Sequence, residues 1–179
     1  MANDGADHTL AEFACLGVIA LGPSHGWAVA SALNRQGSLG RVWSLSRPLT
    51  YRAIDSLVSK GLVRREGNEP GHGPTRTKLS ITPDGTQTCE HWLNRPVEHI
   101  REVRTVFLLK LAVGGLLGRN PEPLLRAQRE TFAPLFAALG SRRHEEDPVD
   151  LWRDESSRAV GRFLDRALAQ HEPHQPEGP

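Results

Sequence analysis

Ser46-Arg-Pro-Leu-Thr-Tyr-Arg-Ala-Ile-Asp-Ser-Leu-Val-Ser-Lys-Gly-Leu-Val-Arg-Arg65 is the stretch from which the fold can be read. Ser46 has the side chain of a helix N-cap, able to satisfy a free backbone N–H, and Pro48 is tolerated in a first helical turn. Ile54, Leu57 and Val58 recur at the three-to-four-residue spacing of a buried helical face. Gly61 is placed to end the helix in the left-handed conformation. The period then shortens to two, and Leu62 and Val63 open a strand that carries Arg64 and Arg65. Arg47, Tyr51, Arg52 and Asp55 fall on the opposite side of the helix. A short helix with a basic, hydroxylated N-terminal end and an aliphatic backing suits insertion into a DNA major groove. By itself the pattern equally describes a solvated face on an ordinary helix, so the rest of the chain has to decide.

Net charge does not decide it: 22 Lys and Arg stand against 21 Asp and Glu in 179 residues. The distribution is more telling. Arg35, Arg41, Arg47, Arg52, Lys60, Arg64, Arg65, Arg76 and Lys78 cluster in one segment, against Asp55, Glu66 and Glu69. A basic patch in a near-neutral chain is the electrostatic footprint of a nucleic-acid binder. Cys15 and Cys89 are too few for a disulfide scaffold. Met1 to His8 is polar and acidic without a basic leader region, and the longest apolar run, Phe13 to Leu21, is too short to span a bilayer. A cytoplasmic protein with no membrane role is expected, and the Arg-, Ala-, Gly- and Pro-rich composition fits a GC-rich bacterial genome.

Taken in order, Thr9 caps a first helix running to about Leu21, apolar on nearly every side. Gly22 to Gly26 is a turn with Ser24 as the next cap, and a second helix directs Trp27, Ala30 and Leu33 inward. Arg41 to Leu45 has the composition of a short strand leading to the basic helix. After Leu62–Glu66 comes a loop from Gly67 to Pro74, then the alternating Thr75 to Ile81, with Arg76, Lys78 and Ser80 on one face. Two strands joined by a Gly- and Pro-rich loop make a hairpin whose outward basic face can lie along phosphates. A helix follows from Thr82 to about Leu93. Beyond Pro96 a long amphipathic helix carries Val97, Ile100, Val103, Phe107, Leu108 and Leu111 until Gly114-Gly115 breaks it. Another helix starts near Pro123, with Pro134 expected to kink or split it. Past a polar connector from His144 to Asp147, a last helix from Pro148 to His171 presents Val149, Trp152, Ala159, Val160, Phe163, Leu164, Ala167 and Leu168.

The order helix, helix, basic helix, two-stranded wing, further helices is that of a winged helix-turn-helix with a helical extension. The expected fold is mainly α (α+β): a DNA-binding domain over 9–94, a helical dimerisation and effector region over 97–171, and disordered tails at 1–8 and 172–179. At this point the chain resembles the PadR family of bacterial transcriptional regulators. The matching segments are Leu21-Gly-Pro-Ser-His-Gly-Trp27, Trp43-Ser-Leu-Ser46, Tyr51-Arg-Ala-Ile54, Lys60-Gly-Leu-Val63 and Gly73-Pro74. Leu79-Ser-Ile-Thr-Pro-Asp-Gly85, Pro96-Val-Glu-His99 and Leu108-Leu-Lys-Leu111 continue the series. Each motif is weak; the ordered set is specific. The approach to the recognition helix, Arg47-Pro-Leu-Thr-Tyr51, and the wing segment Thr77-Lys-Leu79 depart from the family pattern, so operator sequence does not carry over.

The resemblance implies a repressor that occupies promoter DNA as a homodimer built through C-terminal helices and that a small-molecule effector releases. It makes Tyr51 and Arg52 recognition-helix contacts and brings Arg76 and Lys78 near phosphates; with Arg47, Thr50 and Arg65 these form the expected DNA-binding set. An inverted-repeat operator with half-sites roughly 34–36 Å apart would match a twofold axis. The apolar stripe of the last helix agrees with a dimer, since a small winged domain leaves little to cover it. Folding back on Val97–Leu111 within one chain is the alternative. Trp152, Phe107 and Phe163 are candidates to line an effector cavity, with plain packing as the competing reading.

Other chemistries are disfavoured. Cys89, His91 and His99 lack metal-ligand spacing, so no metal or other cofactor is expected. No Gly-x-Ser-x-Gly elbow and no phosphate-cradling loop before a helix occurs, so an enzyme is not expected. A winged-helix protein-interaction module that docks an acidic partner without sequence-specific DNA binding remains the alternative.

Overall fold

The computed structural model describes residues 8–69, 76–138 and 147–171. Two compact units emerge, one of the residues up to Asn94 with Leu108–Arg119, the other of Arg95–Phe107 with the residues from Asn120 on. The expected tails, 1–8 and 172–179, lie outside the described residues except for His8, which sets its ring edge-on against Phe13 at 5.5 Å.

The first unit is built on α1 (Leu10–Ile19), whose Ala14, Cys15, Leu16 and Ile19 are fully buried. Its start is a reciprocal capping box: the Glu12 N–H donates to Thr9 Oγ1 (3.2 Å) and the Thr9 N–H to Glu12 Oε2 (2.6 Å). After a turn, β1 (Ser24–His25) precedes α2 (Gly26–Leu33). An irregular loop that buries Leu39 and Leu45 leads to α3 (Arg47–Ser59). The helix ends where Gly61 takes a left-handed φ of 72°, as the sequence requires.

The wing consists of β2 (Val63–Glu69) and β3 (Arg76–Ile81), antiparallel, with Val63 opposite Ile81 and Arg65 opposite Leu79. Residues 70–75 of the joining loop, including Gly73-Pro74, lie outside the described residues. β1 closes the other edge of β3, pairing Ser24 with Leu79 and His25 with Lys78, so the sheet has order β1-β3-β2. Ser24 is therefore a strand residue and not a cap: the open edge of β3 offers backbone partners that a turn would leave to water. Arg41–Leu45 is not a strand; Val42 and Trp43 both donate their N–H to the Leu39 carbonyl, closing a turn instead. α4 (Pro83–Asn94) follows, with the Gly85 N–H capped by Thr82 Oγ1 at 3.0 Å.

The long helix expected after Pro96 is interrupted. α5 (Ile100–Glu102) passes into a π-helical turn, Val103–Phe107, and then α6 (Leu108–Leu116), which runs through Gly114-Gly115. The unit boundary falls at the end of that turn, so residues 108–119 join the winged unit and not the region 97–171 assigned from sequence. The cause is packing. A Cβ on Gly17 of α1 would stand 2.6 Å from Val113, the buried Lys110 places its ammonium 5.3 Å from the Trp92 ring centroid, and Trp92 stacks on Phe13 at 4.9 Å.

In the second unit α7 (Glu122–Ala138) lies against α8 (Pro148–Ala169). Arg129 donates to Asp165 at 2.8 Å and Phe136 sits over Gly161, while the buried Gln128 clamps Val97 through both amide ends, at 2.7 and 2.9 Å. Helix α7 runs unbroken through Pro134, which is on its exposed side with Glu130, so water can take the carbonyl that the missing N–H leaves. No helix among the described residues is long and apolar enough to cross a membrane.

Candidate nucleic-acid interface

The surface of α3 is fixed from behind. Thr50, Ala53, Ile54 and Leu57 are buried against α1 and α2, and this stripe turns Arg47, Tyr51, Arg52 and Asp55 outward. Near the other end of α3, the buried carboxylate of Glu12 accepts from Ser56 Oγ (2.5 Å) and Lys60 Nζ (2.8 Å), besides the Thr9 N–H. Burial alone would raise the Glu12 pKa, but hydrogen bonds from Lys60, Ser56 and the Thr9 backbone, with the charge of Lys60, outweigh it and bring it down to about 2. The acid thus stays ionised and ties α1 to α3. Burial pushes the Cys15 thiol up to about 12, helped by the charge of Glu12, and burial also raises Cys89 to about 11; both act as small apolar groups at neutral pH.

Five of the expected DNA-facing residues are exposed or part-exposed in this unit. Arg47 and Arg52 are exposed, and the Arg47 guanidinium lies 5.7 Å from the Tyr51 ring centroid. The ring also lies close to the start of α2: a Cβ at Gly26 would approach Tyr51 Cε1 to 2.7 Å, so only glycine lets the ring lie there unshifted. Arg65 reaches from β2 to form an ion pair with Asp55 of α3, which links wing to helix. Lys78 is part-buried on β3, opposite Glu66. Hydrogen bonds from Ser80 and Arg64, with the charges of Arg64 and Lys78, hold the Glu66 carboxyl below the usual range. Arg76 takes its place opposite Glu69, and its side chain lies outside the described part of the structure.

Three assignments change. Thr50 is fully buried; its Oγ1 donates to the Ser46 carbonyl at 3.0 Å and its own carbonyl faces Cys15 Sγ, so it cannot touch a base. Ser46 occupies the N-cap position, yet its hydroxyl makes no cap bond. Trp27, expected inward, is 47% exposed at the start of α2, because Val29, Ala30 and Leu33 share the buried face and Trp27 falls well over a quarter-turn away from it.

The effector trio is not gathered. Phe107 is fully buried, whereas Trp152 is 73% exposed and Phe163 also lies on the open side of α8. Eleven residues separate the two α8 aromatics, about 16 Å along a helix, beyond the reach of one small planar ligand within a single chain. Among the described residues no three His, Cys, Asp or Glu side chains gather as metal ligands.

The first unit is a winged helix-turn-helix: α2 and α3 form the helix pair, β2 and β3 the wing, and the chain as a whole is α+β. No family model and no curated protein matches the sequence. Among solved structures, the chain is similar to Bacillus subtilis PadR in complex with operator DNA, at 19% identity and a TM-score of 0.46 over 92% of this chain and 100% of that one. The protein smu.1604c from Streptococcus mutans UA159 is similar at 18% identity and a TM-score of 0.44, over 90% of this chain and 91% of that one. The Bacillus subtilis PadR complex with p-coumaric acid gives 18%, 0.41, and coverages of 90% and 95%.

Proposed function

We propose that the chain is a PadR-like homodimeric DNA-binding transcriptional regulator, a repressor that reads duplex DNA with the outward face of α3 and grips phosphates with its wing. One observation carries the reading: the exposed Arg47, Tyr51 and Arg52 and the arginines of β2 belong to a single unit, with an aliphatic stripe holding α3 in place behind them. Helix α3 then supplies base contacts from its N-terminal half, the usual place for a recognition helix. Arg64 and Lys78 on the wing supply sequence-independent attraction.

The dimer reading is supported by α8. Val149, Leu151, Trp152 and Phe163 are large apolar side chains left open to solvent, and Val149, Trp152, Ala159 and Phe163 fall on the two seam positions of a seven-residue repeat, three, seven and four residues apart. A second copy of the helix would cover them and would duplicate the α3 surface about a twofold axis. Repression is then occupancy of promoter DNA, and a small-molecule effector that favours another dimer geometry would release it.

The test is a gel shift with promoter DNA from the protein's own locus, with solution mass measured alongside. The reading expects a salt-sensitive shift and a particle of twice the 19.7 kDa chain mass. A single-chain mass with no shift at low salt would leave the interaction-module reading in its place.

A further inference from the structure

We propose that Asp55 sets the specificity of this interface by keeping it from gripping duplex DNA of arbitrary sequence; the proposal rests on the DNA-binding reading above. On α3 the positions furthest from the buried stripe of Thr50, Ala53, Ile54 and Leu57 are Pro48, Arg52, Asp55 and Ser59, each about half a turn away from it. Arg52 and Asp55 are the charged members of that outermost row. A carboxylate 63% exposed in its middle is out of place on a surface made only to attract phosphates. The same carboxylate holds Arg65 of β2, a cation 48% exposed and otherwise placed to reach the DNA backbone.

Two consequences follow from elementary electrostatics. On a duplex of the wrong sequence, Asp55 repels nearby phosphates and its ion pair neutralises Arg65, so binding made mostly of phosphate contacts is weakened. On the right sequence a base donor, such as the cytosine N4 amino group, gives the carboxylate a partner in the groove. Arg65 is then free to turn to the backbone. The correct site gains both contacts together and a wrong site gains neither, which is discrimination by a repulsive element.

The experiment selects duplexes from a random pool with the wild-type protein, then titrates the most enriched one and a random duplex of equal length. Wild type, Asp55→Asn, Arg65→Ala and the double variant are compared over a range of salt. Asp55→Asn is expected to bind the random duplex about 3–10-fold more tightly, with a salt slope steeper by about one unit as Arg65 becomes a phosphate contact. It gains nothing on the selected duplex, so the ratio between the two falls. In the double variant most of the gain on random duplex disappears. Equal weakening on both duplexes would make Asp55 a scaffold residue and overturn the proposal, as would equal tightening on both. Failure of the wild type to enrich any duplex overturns the DNA-binding reading itself, and this proposal with it.

Discussion

Helices α3 and α8 both begin with a capping-type residue and a proline in the first turn, yet they differ in what they bury and in what they leave to water. Helix α3 hides Ala53, Ile54 and Leu57 and exposes Arg47, Arg52 and Asp55. Helix α8 hides Asp154, Ser157 and Leu164 while Val149, Leu151 and Trp152 stay open to solvent. Water satisfies the outer face of α3, so its charges need no partner for the unit to be stable. The outer face of α8 leaves apolar area in water at a cost of about 25 cal/mol per Å2, which association would recover. One surface is complete as it stands; the other would gain stability by acquiring an apolar neighbour.

The contrast can be broken at several points. The largest effect belongs to Leu57→Ala: removing a fully buried side chain behind α3 should cost the winged unit about 2–5 kcal/mol in chemical denaturation. Val149→Ala, on the open side of α8, should cost a dilute monomer less than about 0.5 kcal/mol. Similar losses for the two would erase the distinction.

The buttress of α3 is sharpened by acid. The folded Glu12 pKa lies below its unfolded value, so its stabilisation is full above about pH 4.5 and is lost as the pH falls towards 2. The contribution at neutral pH is on the order of 3 kcal/mol. Glu12→Gln should remove it, and the difference between wild-type and variant melting curves should shrink steadily from pH 5 to pH 2. A difference that grows over that window would mean the carboxylate is not ionised in the folded protein.

A smaller effect, about tenfold in self-association, is expected from Trp152→Ala, because exposed aromatics at an interface centre contribute most when covered. Sedimentation equilibrium reads it directly, and thermal melting of a dilute sample should stay unchanged. A drop in melting temperature without a change in association would place Trp152 in the fold of its own unit.

What could be read from the chain was what is local. Ile54, Leu57 and Gly61 announce α3 and its end through spacing and backbone preference, and Thr9 with Glu12 forms the capping box that a Thr at that place invites. Most of what the sequence left unread is non-local. A two-residue strand has no period of its own, so Ser24 and His25 become β1 only because β3 passes beside them. The assignment of residues 108–119 depends on Gly17, Trp92 and Asn94, far away in sequence, and on a π-helical turn with no distinct sequence signature. Thr50 is the local exception: a hydroxyl at a helix start suits an outward position, yet four residues before Ile54 it falls on the side of Ile54 and Leu57 and donates to the Ser46 carbonyl. Asp55 was visible on the outer face, but its significance needed β2 in place to bring Arg65 to it.

The central question is whether the outer face of α3 reads base sequence. Binding of Arg52→Ala to a selected duplex and to a random duplex, measured at matched salt, addresses that alone, since Arg52 is exposed and its loss leaves the core intact. The prediction is a loss on the selected duplex of about tenfold or more, equivalent to roughly 1–3 kcal/mol for one base contact, against a much smaller loss on the random one. Equal losses on both duplexes would contradict it.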